Sequence, residues 1–140
     1  MGNHEVLLIE DNPADARLVF DGCYMRSNLT IVNDGTKAMD YLNQKGIYKD
    51  KELPSLIILD LNLPLKDGRD VLKEIKKNEK LKVIPIVVLT TSSNEEDIIR
   101  SYNQGASAYI TKPLDFDHFE ELISTFEDFW FKWATLPKLE

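Results

Sequence analysis

The sequence has almost no cysteine, no long hydrophobic run and no excess of positive charge, and each absence excludes a class of protein. Cys23 is the only cysteine among the 140 residues, so the chain cannot form an internal disulfide. No apolar run approaches the ~20 residues of a membrane-spanning helix, so no membrane association is expected. The 17 Lys and Arg residues against 24 Asp and Glu residues give a net charge of −7. Direct binding to nucleic acid is not expected, because it depends on a basic face.

The amino terminus and the lone cysteine both indicate a cytoplasmic protein. The first five residues lack the basic start and the apolar stretch of a signal peptide. Cys23 lies in a helical pattern without a histidine or a second cysteine nearby, which favours a half-buried structural residue over a reactive one. A reducing cytoplasm is therefore the expected location.

Apolar runs of strand length alternate with segments of helical periodicity, which is typical of a parallel sheet covered on both faces. The second run is short and more polar, as an edge strand would be. The predicted strands are residues 6–9, 29–32, 56–59, 84–89 and 108–110. The pattern therefore predicts an α/β fold.

The starts of the intervening helices carry capping signals. Asn12, Asp34 and Asp67 each precede a helical pattern, and Asn12 is followed by a proline suited to the first helical position. Residues 93–96 have the form of a capping box. The last helix is predicted over residues 116–133.

Polar side chains follow the predicted strands at the points where the strands end. Glu10 and Asp11 follow the first strand, Asp60 the third, Thr90 the fourth and Lys112 the fifth. In a doubly wound sheet, ligands bind in the crevice beyond these carboxyl ends. Carboxylates crowded there repel one another unless they raise each other's pKa or share a cation.

The residue types in this crevice suit phosphoryl transfer. Oxygen ligands of this kind select Mg²⁺, which is usually held by one or two carboxylates, waters and a phosphate oxygen. Beside such a cation Asp60 can remain ionised and attack phosphorus. The Lys112 ammonium and the Thr90 hydroxyl can then stabilise the phosphoryl oxygens.

The chain resembles the receiver domains of two-component response regulators. The resemblance covers about residues 6–126 in the family's order and spacing. It is carried by residues 8–12, 58–64, 67–68, 88–91 and 105–113. It implies a flavodoxin-like, doubly wound sheet of five parallel strands in the order 2-1-3-4-5. It also implies a phosphoacceptor that catalyses only its own phosphorylation and slow autodephosphorylation, and no other enzyme activity.

The resemblance implies a set of acceptor and metal residues. Asp60 matches the phosphoacceptor and a Mg²⁺ ligand. Asp11 matches a direct Mg²⁺ ligand, Glu10 one that acts through water, and Asn62 one that offers its backbone carbonyl. Asn62 and Ser92 fall at the positions where the family tunes its rate of self-dephosphorylation.

The resemblance also implies phosphoryl contacts and a switch. Lys112, Thr90 and Thr91 would contact the phosphoryl group, and the bond from Lys112 to Pro113 is expected to be cis. Thr90 and Tyr109 match the switch pair, in which the hydroxyl moves toward the phosphoryl group and the aromatic ring follows inward.

The sequence predicts one receiver domain over residues 1–140, with a core of about 5–126, an extended last helix with a short tail at 127–140, and no output domain. That tail and a long loop at 46–54 resemble stand-alone receivers that partner phytochrome-type histidine kinases. The expected partners are therefore a sensor histidine kinase, with the phytochrome type as a candidate, and a downstream protein target.

The last predicted helix carries one broad apolar stripe. Its first half, from Phe116 to Phe126, is expected to pack on the sheet. Phe129, Trp130, Phe131 and Trp133 extend beyond the sheet and would form an exposed aromatic patch, with Phe129, Trp130 and Trp133 as the expected interface residues. The tail either folds back on its own domain or meets a second subunit. We expect a symmetric homodimer built on the last helix and its neighbouring strand and helix.

Two other functions share parts of this pattern. In a haloacid-dehalogenase-type phosphatase, the strand-end aspartate is usually followed by a second acid where Asn62 stands, and the enzyme needs a cap and a longer chain. A flavodoxin-like electron carrier needs a Ser-, Thr- and Gly-rich loop after the first strand to bind phosphate. Residues 10–13 are instead Glu-Asp-Asn-Pro, which would repel a phosphate unless a metal intervened.

Overall fold

Five parallel strands form one sheet in a computed structural model that describes residues 4–23 and 28–139. The strands are β1 (Val6–Ile9), β2 (Leu29–Val32), β3 (Leu56–Leu59), β4 (Ile86–Thr90) and β5 (Ala108–Thr111). Their order is β2-β1-β3-β4-β5, which confirms the predicted doubly wound arrangement and the edge position of the second strand. All pairings are parallel, so the carboxyl ends of the strands lie along one edge of the sheet.

A helix follows each strand, as predicted. The helices are α1 (Pro13–Gly22), α2 (Gly35–Leu42), α3 (Gly68–Lys77), α4 (Glu95–Asn103) and α5 (Phe116–Glu127). Side chains of Asn12, Asp34 and Asp67 accept hydrogen bonds from backbone N–H groups of the first helical turns, which confirms these caps. The cap of α4 is Asn94, so the predicted capping box at residues 93–96 is wrong by one position. The amide oxygen of Asn94 accepts directly from the Glu96 N–H at 2.8 Å.

Strand residues alternate between two buried layers. Leu7 and Ile9 face α2 and α3, whereas Val6 and Leu8 face α1 and α5. Each of these side chains is at most 2% exposed, and full burial of such a residue stabilises the fold by roughly 1.5–3 kcal/mol. Both faces of the central strands are thus packed, which explains their uninterrupted apolar sequences.

The last helix departs from the prediction in its form and in one contact. It is α-helical only as far as Glu127, and residues Asp128–Trp133 continue as a π-helical turn. Phe116 is 56% exposed, so its expected packing on the sheet is wrong: it is the first residue of α5, and its side chain faces solvent. Phe119 and Phe126 are buried as expected.

The carboxyl-terminal tail folds back on the domain in part. Leu136 is buried among the α1 and α5 layer, and Trp130 and Phe131 are half-buried against it. Phe129 remains 53% exposed and Trp133 76% exposed. The predicted aromatic patch is therefore smaller than expected, since only part of it faces solvent.

Cys23 is more deeply buried than the half-buried position predicted for it. It lies just after α1 and is 4% exposed. Burial, together with the negative charge of Glu127, raises the pKa of its thiol to about 12, so the reactive thiolate is suppressed. Within the described ranges, no helix combines the length and the apolar character needed to cross a bilayer.

Candidate functional site

The sheet ladder continues past the strand ends and fixes the backbone of the candidate site. The Asp60 N–H donates to the Ile9 carbonyl at 3.0 Å, and the Lys112 N–H donates to the Thr90 carbonyl at 2.7 Å. Glu10 is tied in the same way to the edge strand through the Val32 carbonyl, at 3.0 Å. The predicted residues are therefore brought together by strand register.

Three carboxylates meet at the carboxyl ends of β1 and β3. Glu10, Asp11 and Asp60 each offer one oxygen, and these oxygens all lie within 4.8 Å of one another. Glu10 and Asp60 are buried at 2% and 5% exposure, whereas Asp11 is exposed. Oxygen donors at this spacing, with one side open to solvent, fit a hard divalent cation that keeps several waters.

The two oxygens of Asp60 have different partners. Oδ1 accepts from the Thr90 hydroxyl at 2.8 Å and from the Asn62 N–H at 3.0 Å, and Oδ2 accepts from the Lys112 ammonium at 3.1 Å. Burial alone would raise the pKa of Asp60. The hydrogen bonds and the positive charge of Lys112 outweigh that effect and lower the pKa, so Asp60 is an ionised carboxylate at neutral pH.

Glu10 behaves in the opposite way. Its burial raises the pKa to about 7, the negative charge of Asp60 adds to the rise, and Lys112 opposes it. The two buried carboxylates thus separate into an ionised acceptor and a neighbour that titrates near neutrality. A bound cation would favour the ionised form of both.

Lys112 is the central cation of the site. It is 6% exposed, and its ammonium lies 2.7 Å from Glu10, 2.8 Å from Asp15 and 3.1 Å from Asp60. Burial opposes the charged form, but hydrogen bonds to Asp15 and Glu10 outweigh this and raise the pKa of Lys112. These contacts show that Lys112 is a buried partner of three carboxylates and not a solvated loop residue.

Asp15 is the site residue that sequence reasoning missed. In the sequence it stands out only as an acid in the first turn of α1, where it would complement the helix dipole. The available signal was its position three residues after the Asn12 cap, which places it on the turn that borders the crevice.

Three other residues predicted for the site, Thr91, Tyr109 and Ser92, lie around the acceptor. Thr91 is exposed at the mouth of the crevice. The Tyr109 hydroxyl donates to the Ser92 carbonyl at 2.8 Å. The Ser92 hydroxyl donates to Asp97 at 2.7 Å and is thereby directed toward α4.

The expected cis bond between Lys112 and Pro113 is wrong: no cis peptide occurs in the described residues, and trans is the intrinsically favoured isomer.

Gly68 allows the acceptor loop to pack against the start of α3. A Cβ atom at this position would lie 2.3 Å from the Asp60 carbonyl oxygen and 2.6 Å from the Leu61 Cα atom. Both contacts are with backbone, which cannot move aside as a flexible side chain can. Glycine here is therefore a requirement of the close approach.

Known proteins agree with this site and fold. Residues 6–124 match the response regulator receiver domain family. Response regulator Rcp1 of Synechocystis sp. is 47% identical over 135 residues, which are 94% of this chain and 92% of Rcp1.

Two solved structures are similar over nearly the whole chain. The Mn²⁺-bound form of Rcp1 has a TM-score of 0.91 and 45% identity, and the phosphorylated cyanobacterial phytochrome response regulator RcpA has a TM-score of 0.92 and 45% identity. Each comparison covers 96% of this chain and 99% of the other. The chain belongs to the receiver-domain family of two-component response regulators.

Proposed function

We propose that this receiver accepts a phosphoryl group on Asp60 from a phosphohistidine of a sensor histidine kinase. In that step the phosphorus–nitrogen bond of the kinase breaks and a phosphorus–oxygen bond to Asp60 forms. The observation that carries the proposal is the setting of Asp60: a buried carboxylate that accepts three hydrogen bonds and lines an open crevice. Such a carboxylate is a competent nucleophile toward phosphorus.

The donor set fits Mg²⁺. Asp11, Asp60 and the backbone carbonyl of Asn62 would hold the ion, and Glu10 would act through water. When bound, Mg²⁺ supplies positive charge that offsets the carboxylates and the phosphoryl oxygens. The Mn²⁺-bound structure of the relative Rcp1 supports a divalent cation in this family.

The other side chains have defined tasks in the proposed reaction. Lys112 would donate to one phosphoryl oxygen, and Thr91 would contact the group at the crevice mouth. The Thr90 hydroxyl would leave Asp60 Oδ1 for a phosphoryl oxygen, and the Tyr109 ring would follow inward. Asn62 and Ser92 would tune the rate of self-dephosphorylation. The backbone of Ser92 would also take part in the switch, because its carbonyl accepts the hydrogen bond from the Tyr109 hydroxyl.

Acetyl phosphate with Mg²⁺ tests the acceptor directly. We expect intact-mass measurement to find one added phosphoryl group on the wild type and none on Asp60→Asn. Asp67→Asn is a matched control, because Asp67 is an aspartate seven positions away that caps α3. It should be labelled like the wild type. Full, acid-labile labelling of Asp60→Asn would contradict the assignment.

The proposed upstream partner is a phytochrome-type histidine kinase, and the downstream partner is a protein. RcpA, 45% identical to this chain, is a phytochrome response regulator. Phosphotransfer from a phytochrome-type kinase at a rate well above transfer from an unrelated histidine kinase would support this partner. Cytoplasmic location stays a prediction.

We also propose a homodimer through α5 and its neighbours, α4 and β5. Ile99 and Tyr102 on α4 are 55% and 50% exposed, and Phe129 and Trp133 after α5 are 53% and 76% exposed. Large exposed apolar side chains on adjacent elements favour an interface. Trp130 is half-buried against its own domain, so it would pack beneath the interface residues and would not form the contact surface itself.

A further inference from the structure

We infer that Asp15 is a positioning residue of the acceptor site, which anchors the Lys112 ammonium to α1 and limits how strongly it competes with a divalent cation for the oxygens of Glu10 and Asp60. The inference rests on the proposed function in that it assigns those oxygens to a divalent cation. It concerns a residue that the sequence pattern and the family resemblance did not place in the site.

The hydrogen-bond geometry of Lys112 leads to this role. An ammonium has three N–H donors and no acceptor. Here the ammonium donates to Asp15 Oδ2 at 2.8 Å and to Asp60 Oδ2 at 3.1 Å, and it forms an ion pair with Glu10 Oε1 at 2.7 Å. The contact to the acceptor is the longest, so the ammonium is displaced from Asp60 toward the other two partners.

Asp15 is well placed to hold the ammonium. The Asn12 side-chain oxygen accepts from the Ala14 and Asp15 N–H groups at 2.9 and 3.1 Å, and Pro13 fixes the first helical residue. This cap fixes the start of α1, and the Asp15 carboxylate lines the crevice and reaches Lys112. The Asp15 side chain is only 22% exposed.

Asp15 lies outside the carboxylate cluster itself. In the part of the chain that the structure describes, the three-carboxylate group within 4.8 Å consists of Glu10, Asp11 and Asp60. Asp15 contacts that cluster through Lys112. It therefore acts as an outer partner that orients the residues around the cation.

Removal of this anchor has a defined consequence. With Asn at position 15 the ammonium loses one anionic partner, so its existing contacts with Glu10 and Asp60 should tighten. It then competes more strongly with the cation for the same oxygens. We expect Mg²⁺ affinity to fall about tenfold, the lower end of the range for lost outer-shell partners.

Calorimetric titration of Mg²⁺ into Asp15→Asn and Asp21→Asn tests the consequence. Asp21 is the matched control, because it lies on the same helix, loses the same charge and pairs with the exposed Arg17 at 3.0 Å. We expect the affinity to fall in Asp15→Asn and to change less than twofold in Asp21→Asn. Equal changes in both variants would overturn the inference, since only the net charge would then matter.

A double-mutant cycle with Lys112→Met tests whether Asp15 acts through the lysine. Methionine keeps most of the length of the side chain and removes the ammonium. If Asp15 acts through Lys112, Asp15→Asn should have little effect on Mg²⁺ affinity in the Lys112→Met background. A tenfold loss that persists there would mean that Asp15 acts on the cation directly, and the inference would be wrong.

A metal-free measurement separates this inference from the proposed function. The Lys112 NH₃⁺ group is buried and should give an NMR signal protected from exchange with water. We expect Asp15→Asn, but not Asp21→Asn, to increase that exchange severalfold. Unchanged exchange would overturn the anchor even if Asp60 proves to be the acceptor, and failure of phosphorylation would leave this readout intact.

Discussion

The guanidinium of Arg69, at the start of α3, donates two parallel hydrogen bonds to the carboxylate of Asp97, in the first turn of α4. Both donor–acceptor distances are 2.8 Å. Arg69 also reaches the Leu61 carbonyl at 3.4 Å, and Asp97 accepts from the Ser92 hydroxyl at 2.7 Å. This pair therefore links the residue after the acceptor to the loop that follows Thr90.

The first prediction concerns the stability of this link. Arg69→Lys keeps the charge but removes the two-point geometry, because an ammonium cannot reproduce the planar fork. We expect the free energy of unfolding to fall by about 1–2 kcal/mol, as for a partly buried charged hydrogen bond. Urea denaturation measures the change. Arg17→Lys is the control, since its pair with Asp21 is exposed and should change stability by under ~0.5 kcal/mol. Equal effects of both variants would contradict the assigned role.

The second prediction concerns acid. The hydrogen bonds from Arg69 and Ser92 lower the pKa of Asp97 to about 2, against about 3.9 for an unfolded aspartate. Because the folded pKa is the lower one, the stabilisation is fully present above about pH 4 and is lost as the pH falls toward 2. Asp97→Asn should therefore flatten the loss of stability between those values. NMR titration of the Asp97 carboxyl gives its pKa directly, and titration near 4 would refute the prediction.

The third prediction concerns Lys112. Lys112→Met leaves Glu10, Asp15 and Asp60 without their shared cation. We expect the metal-free protein to lose about 2–3 kcal/mol, somewhat less than a broken buried pair usually costs, because Glu10 can take up a proton. Mg²⁺ should restore part of the loss, since it binds the folded state. Thermal unfolding with and without Mg²⁺ measures both effects. A variant as stable as the wild type without metal would show that the ammonium contributes no net stability.

The fourth prediction concerns Asp11. It is the exposed member of the three-carboxylate cluster, so its removal relieves repulsion without leaving a cavity. We expect Asp11→Ala to be as stable as the wild type or slightly more stable without metal. Mg²⁺ affinity and phosphorylation by acetyl phosphate should fall together. Unchanged Mg²⁺ binding in this variant would rule Asp11 out as a ligand.

Local sequence signals predicted the residues that a strand end or a capped turn positions. Asp60 and Lys112 follow apolar runs, and parallel pairing necessarily brings such residues to one edge. Asp15 and Asp97 were missed because their roles depend on partners 97 and 28 residues away, which no local pattern encodes. The π-helical turn after Glu127 was missed for a similar reason. The apolar spacing of residues 116–133 predicts one continuous α-helix. The course of the backbone after Glu127 depends instead on how the tail packs on the domain.

The last prediction concerns the carboxyl-terminal aromatic residues, which the fold leaves divided. Trp130 packs on Phe126 with ring centroids 6.3 Å apart, whereas Phe129 and Trp133 stay largely exposed. We expect Phe129→Ser combined with Trp133→Ser to weaken self-association at least tenfold without unfolding the domain, since neither side chain is buried in the core. Ile47→Ser is the control. Ile47 is also a large apolar residue, is 86% exposed, and lies after α2 rather than in the carboxyl-terminal segment. Sedimentation at micromolar concentration, with and without acetyl phosphate, measures the equilibrium. Phosphorylation should shift it, because Tyr109 on β5 connects the acceptor side to this face. A wild type that stays monomeric in both states would mean that the aromatic tail serves only its own domain.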